Sequence, residues 1–324
     1  MKRYIFPLMA FALVMASCED DKAEKPTAAI SIDKTTLEIN ESMMVRFHGS
    51  ADNVVVYTGD TDHDYELRDQ SNTGLVVNKG VISYSYSTPG TYKVVCVAVN
   101  HEDAGKSVET DTCSMYVKVI DDNTEINSIS APQVLYDEVF ARRLTDSDWM
   151  MAIPRKIRFR GNDAKIQMQQ LLKFYIPSLT TEIMVNGEAF NARTKYKLDQ
   201  VQQITAKSHQ GTTRDYKLYT VNYGEFETFK LAGVEGKIER TEFDYSYFEI
   251  NMELPAGTDL KALVPEFTLY DAANEKVFIG DAPQVSGSTA VDFSSPVTYR
   301  FEASHKDNPA VKVESTCVVN VTLK

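Results

Sequence analysis

The sequence predicts an all-β protein: three β-sandwich domains in tandem behind a cleaved leader. Short alternating strands separated by turn residues recur about every ten residues along most of the chain, the signature of sandwiches. Long amphipathic helices are scarce. The last two hundred or so residues repeat one strand pattern twice, with a period of about 95. A length of 324 residues suits two or three domains, and 43% hydrophobic with 25% charged residues is a globular composition. The 34 Lys plus Arg against 46 Asp plus Glu give a net charge of -12, which repels a phosphate backbone and argues against a nucleic-acid partner.

The leader comes first. Lys2 and Arg3 form a positive start, and Tyr4 to Met15 is an apolar run broken only by Pro7. The run is shorter than the roughly 20 residues that span a bilayer and suits a secretory signal. It ends in Met15-Ala16-Ser17-Cys18. Small residues before a Cys resemble a bacterial lipobox, which implies cleavage after Ser17 and acylation of Cys18, with palmitate-type chains as the membrane anchor. Glu19-Asp20-Asp21 follows and resembles the surface-export signal of Bacteroides-type lipoproteins. That resemblance implies the outer face of the outer membrane. The expected division is a signal peptide over 1–17, a lipidated tether over 18–29, and sandwiches over 30–121, 122–223 and 224–324. Loss of residues 1–17 removes two cations and leaves a charge of -14, so the acyl chains rather than a basic patch must hold the membrane.

With Cys18 acylated, Cys96, Cys113 and Cys317 remain. Cys96 and Cys113 flank a predicted hairpin. The sequence leaves open whether they pair across it or are two small buried hydrophobes.

The first sandwich carries Val54-Val55-Val56-Tyr57-Thr58-Gly59-Asp60, a strand closing on a Gly-Asp turn. Alternation from Ile82 puts Tyr84 and Tyr86 on the same face and serines on the other. Pro89-Gly90 then turns into a strand ending at Asn100. Gly59-Asp60, the Ser-Thr-Pro-Gly-Thr-Tyr stretch and Asn100 resemble the polycystic-kidney-disease (PKD) domain, an immunoglobulin-like sandwich. Val-Tyr-Thr stands where that family has Trp-Asp-Phe.

Four ordered matches suggest that the second and third sandwiches are duplicates. Lys156-Ile157-Arg158-Phe159 is set against Glu249-Ile250-Asn251-Met252. Leu171 to Ile176 aligns with Leu263 to Leu269, and Glu182 to Gly187 with Glu275 to Gly280. Ala206 to His209 aligns with Glu302 to His305, and each copy closes on an alternating strand. Asp163 to Tyr175, with Asn162 or Asp163 as cap and apolar Ile166, Leu171 and Leu172, predicts a turn or two of helix. Ile204 to Leu218, and Pro255 to Leu260 followed by Leu263 and Pro265, resemble the cadherin-like sandwich modules of Bacteroides-type surface lipoproteins. That likeness implies fold and location, not chemistry.

Signals of catalysis are weak. The five His show no zinc spacing, and there is no Cys-x-x-Cys, no Gly-x-Ser-x-Gly and no phosphate loop. His209 and His305, at matching positions in the repeats, read as turn formers. Asp60-Thr61-Asp62-His63-Asp64 offers carboxylates to a hard cation. A calcium loop of the EF-hand type fails at Tyr65 and Ser71, so the stretch reads as an exposed acidic turn. Modules of about 95 residues lack the deep cleft that paired catalytic carboxylates need. The expectation is a protein that is not an enzyme, with no metal and no cofactor.

Aromatic rings are the better clue, because a pyranose stacks its C–H face on them. The chain has 17 Tyr, 15 Phe and one Trp. Alternation assigns Phe248, Ile250, Met252 and Leu254 to the core, leaving Phe243, Tyr245 and Tyr247 on the other face ahead of Glu249 and Asn251. Tyr245, Tyr247 and the lone Trp149 are the glycan-binding candidates, with packing against a neighbouring module as the structural alternative. By resemblance, such lipoproteins capture glycans beside an outer-membrane importer. The rival expectation is a structural or adhesive cell-surface protein that binds other proteins.

Overall fold

The computed structural model describes residues 25–101, 108–132, 134, 138–241 and 244–324. The predicted leader, Cys18, the acidic Glu19-Asp20-Asp21 and Phe243 lie outside the described residues. Among those residues, no helix is long and apolar enough to cross a membrane. The protein is all-β, built of immunoglobulin-type sandwiches, and it divides into two units after Asp121.

In the first unit a three-stranded sheet (Ile30–Ile32, Ser42–Phe47, Val81–Ser85) faces a five-stranded one. The second sheet runs in the order Thr36–Glu38, Val108–Ile120, Gly90–His101, Asn53–Tyr57, Leu75–Val76, and its first two strands are parallel. Met43, Val45, Val56, Tyr86, Val94 and Val117 fill the space between them. The Gly-Asp turn has a steric cause: Gly59 has φ +86, and a Cβ there would lie 2.6 Å from the Lys93 carbonyl oxygen. Two carboxylates of the acidic stretch are engaged within the fold. Asp60 accepts from the hydroxyls of Thr58 at 2.5 Å and Tyr84 at 2.6 Å. Asp64 caps the short 3-10 helix Tyr65–Gln70 by accepting from the Glu66 amide at 2.9 Å. Among the described residues no three His, Cys, Asp or Glu are grouped to hold a metal. Cys96 and Cys113 are direct register partners, and both are free thiols.

The second unit contains two sandwiches with the same wiring. One six-stranded sheet runs Arg142–Arg143, Asp148–Ile153, Thr213–Asn222, Gln202–Lys207, Glu182–Val185, Glu188–Ala189. The other runs Lys237–Arg240, Tyr247–Leu254, Asn308–Leu323, Val297–His305, Glu275–Ile279, Ala282–Pro283. In each, the second strand pairs parallel with the third. Each is faced by a three-stranded sheet, centred on Ser128–Ala131 and on Phe226–Leu231. This common order is what a duplication produces.

The wiring corrects three expectations. Lys156–Phe159 does not correspond to Glu249–Met252; the counterpart of Tyr247–Leu254 is Asp148–Ile153, since these are the strands that pair parallel with the closing strand. The stretch predicted to be helical is strand instead. Lys156–Phe159 pairs antiparallel with Asn162–Lys165 around Arg160 and Gly161, both at positive φ, and Gln169–Leu171 and Lys173–Tyr175 follow. Asn162 therefore follows a tight hairpin turn and cannot cap a helix. His209 and His305 also differ: His209 is exposed and His305 is buried.

The two sandwiches of this unit are joined by packing and by charge. Met150, Tyr219 and Val221 pack on Ala303 and Val311. Arg240 bonds Asp163 across the junction at 2.5 Å and Glu225 at 2.5 Å within its own sandwich. Arg155 pairs with Glu275, and the Lys156 ammonium donates to the Tyr270 hydroxyl at 2.7 Å.

Candidate functional site

The three aromatic candidates separate. Trp149 alternates inward with Met151 and Ile153 and is 3% exposed in the core of the second sandwich. One side of its ring carries the Arg143 guanidinium, 5.5 Å from the centroid. A ring so enclosed has no face for a sugar, and this corrects its place among the binding candidates. Tyr245 sits in the turn before its strand, half-buried, and packs against the core of the second sandwich. It therefore takes the structural role of a junction residue.

Tyr247 is placed differently. Phe248, Ile250, Met252 and Leu254 are all buried, so alternation turns Tyr247, Glu249 and Asn251 to the outer face of the third sandwich's large sheet. The Tyr247 hydroxyl donates to Glu249 Oε1 at 2.8 Å. Partial burial, and secondarily that carboxylate, push the phenol up to about 12, so it stays a donor across the physiological range.

Register extends the face sideways. Tyr247 is opposite Thr316, Thr316 opposite Arg300, and Arg300 opposite Phe278. Residues opposite one another share a face, so these four form one row across four strands. At about 4.8 Å per strand the outer two rings stand roughly 14 Å apart. Between them lie a hydroxyl and a guanidinium, the latter 4.5 Å from the Phe278 centroid. Glu314 holds Arg300 in place at 2.9 Å. Two rows further along, Asn251 and Asn320 are opposite each other, and the Asn320 amide donates to Asn251 Oδ1 at 2.9 Å. The face therefore presents two rings, planar amides, a guanidinium and a carboxylate on one sheet surface. Rings to stack on, with planar donors and acceptors around them, suit a polyhydroxylated ligand.

Alternation in the sequence already turned Tyr247 outward, but it did not show which residues share its row. Phe278 was detectable, since in Glu275–Ile279 Val277 must face inward and its neighbour outward. Arg300 and Thr316 carry no local signal; they join the site only through register.

Residues 226–314 match the family model described as SGBP, N-terminal, and residues 17–91 match one described as a domain of unknown function (DUF5017). No curated protein matches the chain significantly. A proposed glycoside hydrolase from Bacteroides thetaiotaomicron is 26% identical over 32% of this chain and 25% of its own, with a TM-score of 0.23. The present chain thus spans a quarter of that protein's length. SGBP-B of the Bacteroides ovatus mixed-linkage glucan utilization locus, solved with a mixed-linkage heptasaccharide, is 11% identical over 93% of this chain and 71% of its own, with a TM-score of 0.23. A carbohydrate-binding module of the β-sandwich superfamily is 12% identical over 61% and 85%, with a TM-score of 0.24.

Proposed function

We propose that this protein is a non-catalytic glycan-binding protein displayed on a bacterial cell surface. It would hold an extended saccharide on the outer sheet face of its third sandwich. The observation that supports this most is the row Tyr247–Thr316–Arg300–Phe278, which falls largely within the segment matching the SGBP N-terminal model. In this reading the two rings stack on sugar residues a few units apart along one chain. Asn251, Asn320 and Arg300 bond the hydroxyls between and beside them. The rigid six-stranded sheet fixes their spacing before ligand arrives, which lowers the entropy lost on binding.

The remainder of the reading concerns location. Cys18 is acylated, the following residues form a tether, and the PKD-like first sandwich comes next along the chain. A neighbouring outer-membrane importer is the natural recipient of captured glycan. Affinity electrophoresis against a panel of neutral polysaccharides, followed by calorimetry, tests the binding claim. Retardation by at least one glycan that is lost in Tyr247→Ala is expected. Absence of binding across the panel would remove the reading in favour of an adhesive protein. Mass spectrometry of the membrane-extracted protein tests the anchor, which requires an N-terminal diacylglyceryl-modified Cys18.

A further inference from the structure

Two thiols of the first unit face each other. Gly90–His101 and Val108–Ile120 pair antiparallel without a break in register. Cys96 lies directly opposite Cys113, flanked by Val95 opposite Ser114 and Val97 opposite Thr112. Opposite residues project to the same face of a sheet, with Cα atoms about 4.5–5.5 Å apart, inside the roughly 4.4–6.8 Å that a disulfide spans. The two side chains meet in one core: Cys96 is fully buried there, and Cys113 packs against it. Burial first, and then the adjacent Cys113 thiol, push Cys96 up to about 12. A metal would need further ligands, and among the described residues no three His, Cys, Asp or Glu are grouped to supply them.

The pair is unequal. Cys113 is half-buried and within reach of solvent, whereas Cys96 is closed off. That asymmetry sets an order of reaction. We propose that Cys96 and Cys113 are a redox pair that an external disulfide closes into a cross-strand bond, with Cys113 as the entry point and Cys96 as the resolving thiol. In the first step the Cys113 thiolate attacks one sulfur of R–S–S–R. A bond forms to Cys113 Sγ, the external S–S bond breaks, and one RS⁻ leaves. In the second step Cys96 gives its proton to water and attacks Cys113 Sγ, expelling the second RS⁻. The two protons lost by the cysteines end on the two departing thiolates. The protein gives up two electrons, and the external disulfide gains them. Burial pushes both thiols up, so closure is slow at neutral pH and faster in mild alkali. The bond joins neighbouring strands of the five-stranded sheet and restrains the unfolded chain between residues 96 and 113. None of this depends on glycan binding.

The test uses the folded, reduced full chain, exposed to glutathione disulfide at about pH 8.5, where more of Cys113 is thiolate. Alkylation under denaturing conditions and peptide mapping without reductant then read the products. The expected product is a linked peptide pair carrying Cys96 and Cys113, two hydrogens lighter than its parts and separated again by dithiothreitol. Cys317, 1% exposed in the third core, should remain a free thiol. In Cys96→Ala a glutathione adduct should persist on Cys113, because nothing resolves it. In Cys113→Ala the Cys96 thiol should stay unmodified. Two free thiols after exposure, or a glutathione adduct that persists on Cys113 of the parent protein, overturns the pair. An adduct on Cys96 in Cys113→Ala overturns the order of reaction. Should either variant fail to fold, the product formed by the parent protein decides.

Discussion

Tyr247 and Phe278 stand on one register row of one sheet, three strands apart, although 31 positions separate them in sequence. The strands between them contribute Thr316 and Arg300, whose side chains share the same face. Stacking surface and hydrogen-bonding groups are thus set by the sheet, not by a loop.

Arg240 is the most demanding residue of the junction between the second and third sandwiches. Its side chain is 5% exposed, and its partner Glu225 is 2% exposed. Arg240→Met leaves that carboxylate buried and unpaired, for which about 3–5 kcal/mol of destabilisation is expected. Adding Glu225→Gln should recover part of the loss. Urea unfolding of the single and double variants checks it, and equal losses in both would contradict the assignment.

Trp149→Ala should cost about 3–5 kcal/mol, because it empties a large volume in a closed core. Glycan affinity measured below the melting range should not change. A variant that kept its stability but lost binding would restore Trp149 as a contact residue.

The Tyr299 hydroxyl is buried in the third core and has no hydrogen-bond partner among the described residues. Removing an unbonded polar group leaves nothing orphaned, so Tyr299→Phe should be neutral or stabilising by up to about 1 kcal/mol. A clear fall in thermal midpoint would show that the hydroxyl has a partner.

Burial depresses His305 below its usual 6.5, outweighing nearby Asp307. Its Nδ1 accepts the Asp307 amide at 3.2 Å, which requires the neutral ring. The unfolded chain therefore takes up this proton first as pH falls. His305 costs stability below about pH 6.5, and stability rises with pH through that window. Wild type should lose more than His305→Gln between pH 7.5 and 5; parallel losses would contradict this.

Much of the fold was legible because its cause is local. Phe248, Ile250, Met252 and Leu254 alternate strictly, and the structure buries all four. The alternating stretches Tyr216 to Tyr223 and Cys317 to Leu323 lie on strands that hold the same place in the two six-stranded sheets. The helix expected near Asp163 failed because Arg160-Gly161 closes a hairpin there, and strand pairing outweighs a weak apolar spacing. Trp149 and Tyr245 misled for a different reason. Their environments are made by strands distant in sequence, and for Tyr245 by another sandwich. The same non-locality hid Arg300 and Thr316, which only register brings beside Tyr247.

The most direct test compares Tyr247→Ala and Phe278→Ala by calorimetry with an oligosaccharide long enough to reach both rings. Each substitution should weaken binding about tenfold or more while the thermal midpoint stays within a few degrees. Unaltered affinity in both variants, for a glycan the parent protein binds, would contradict the sheet-face site.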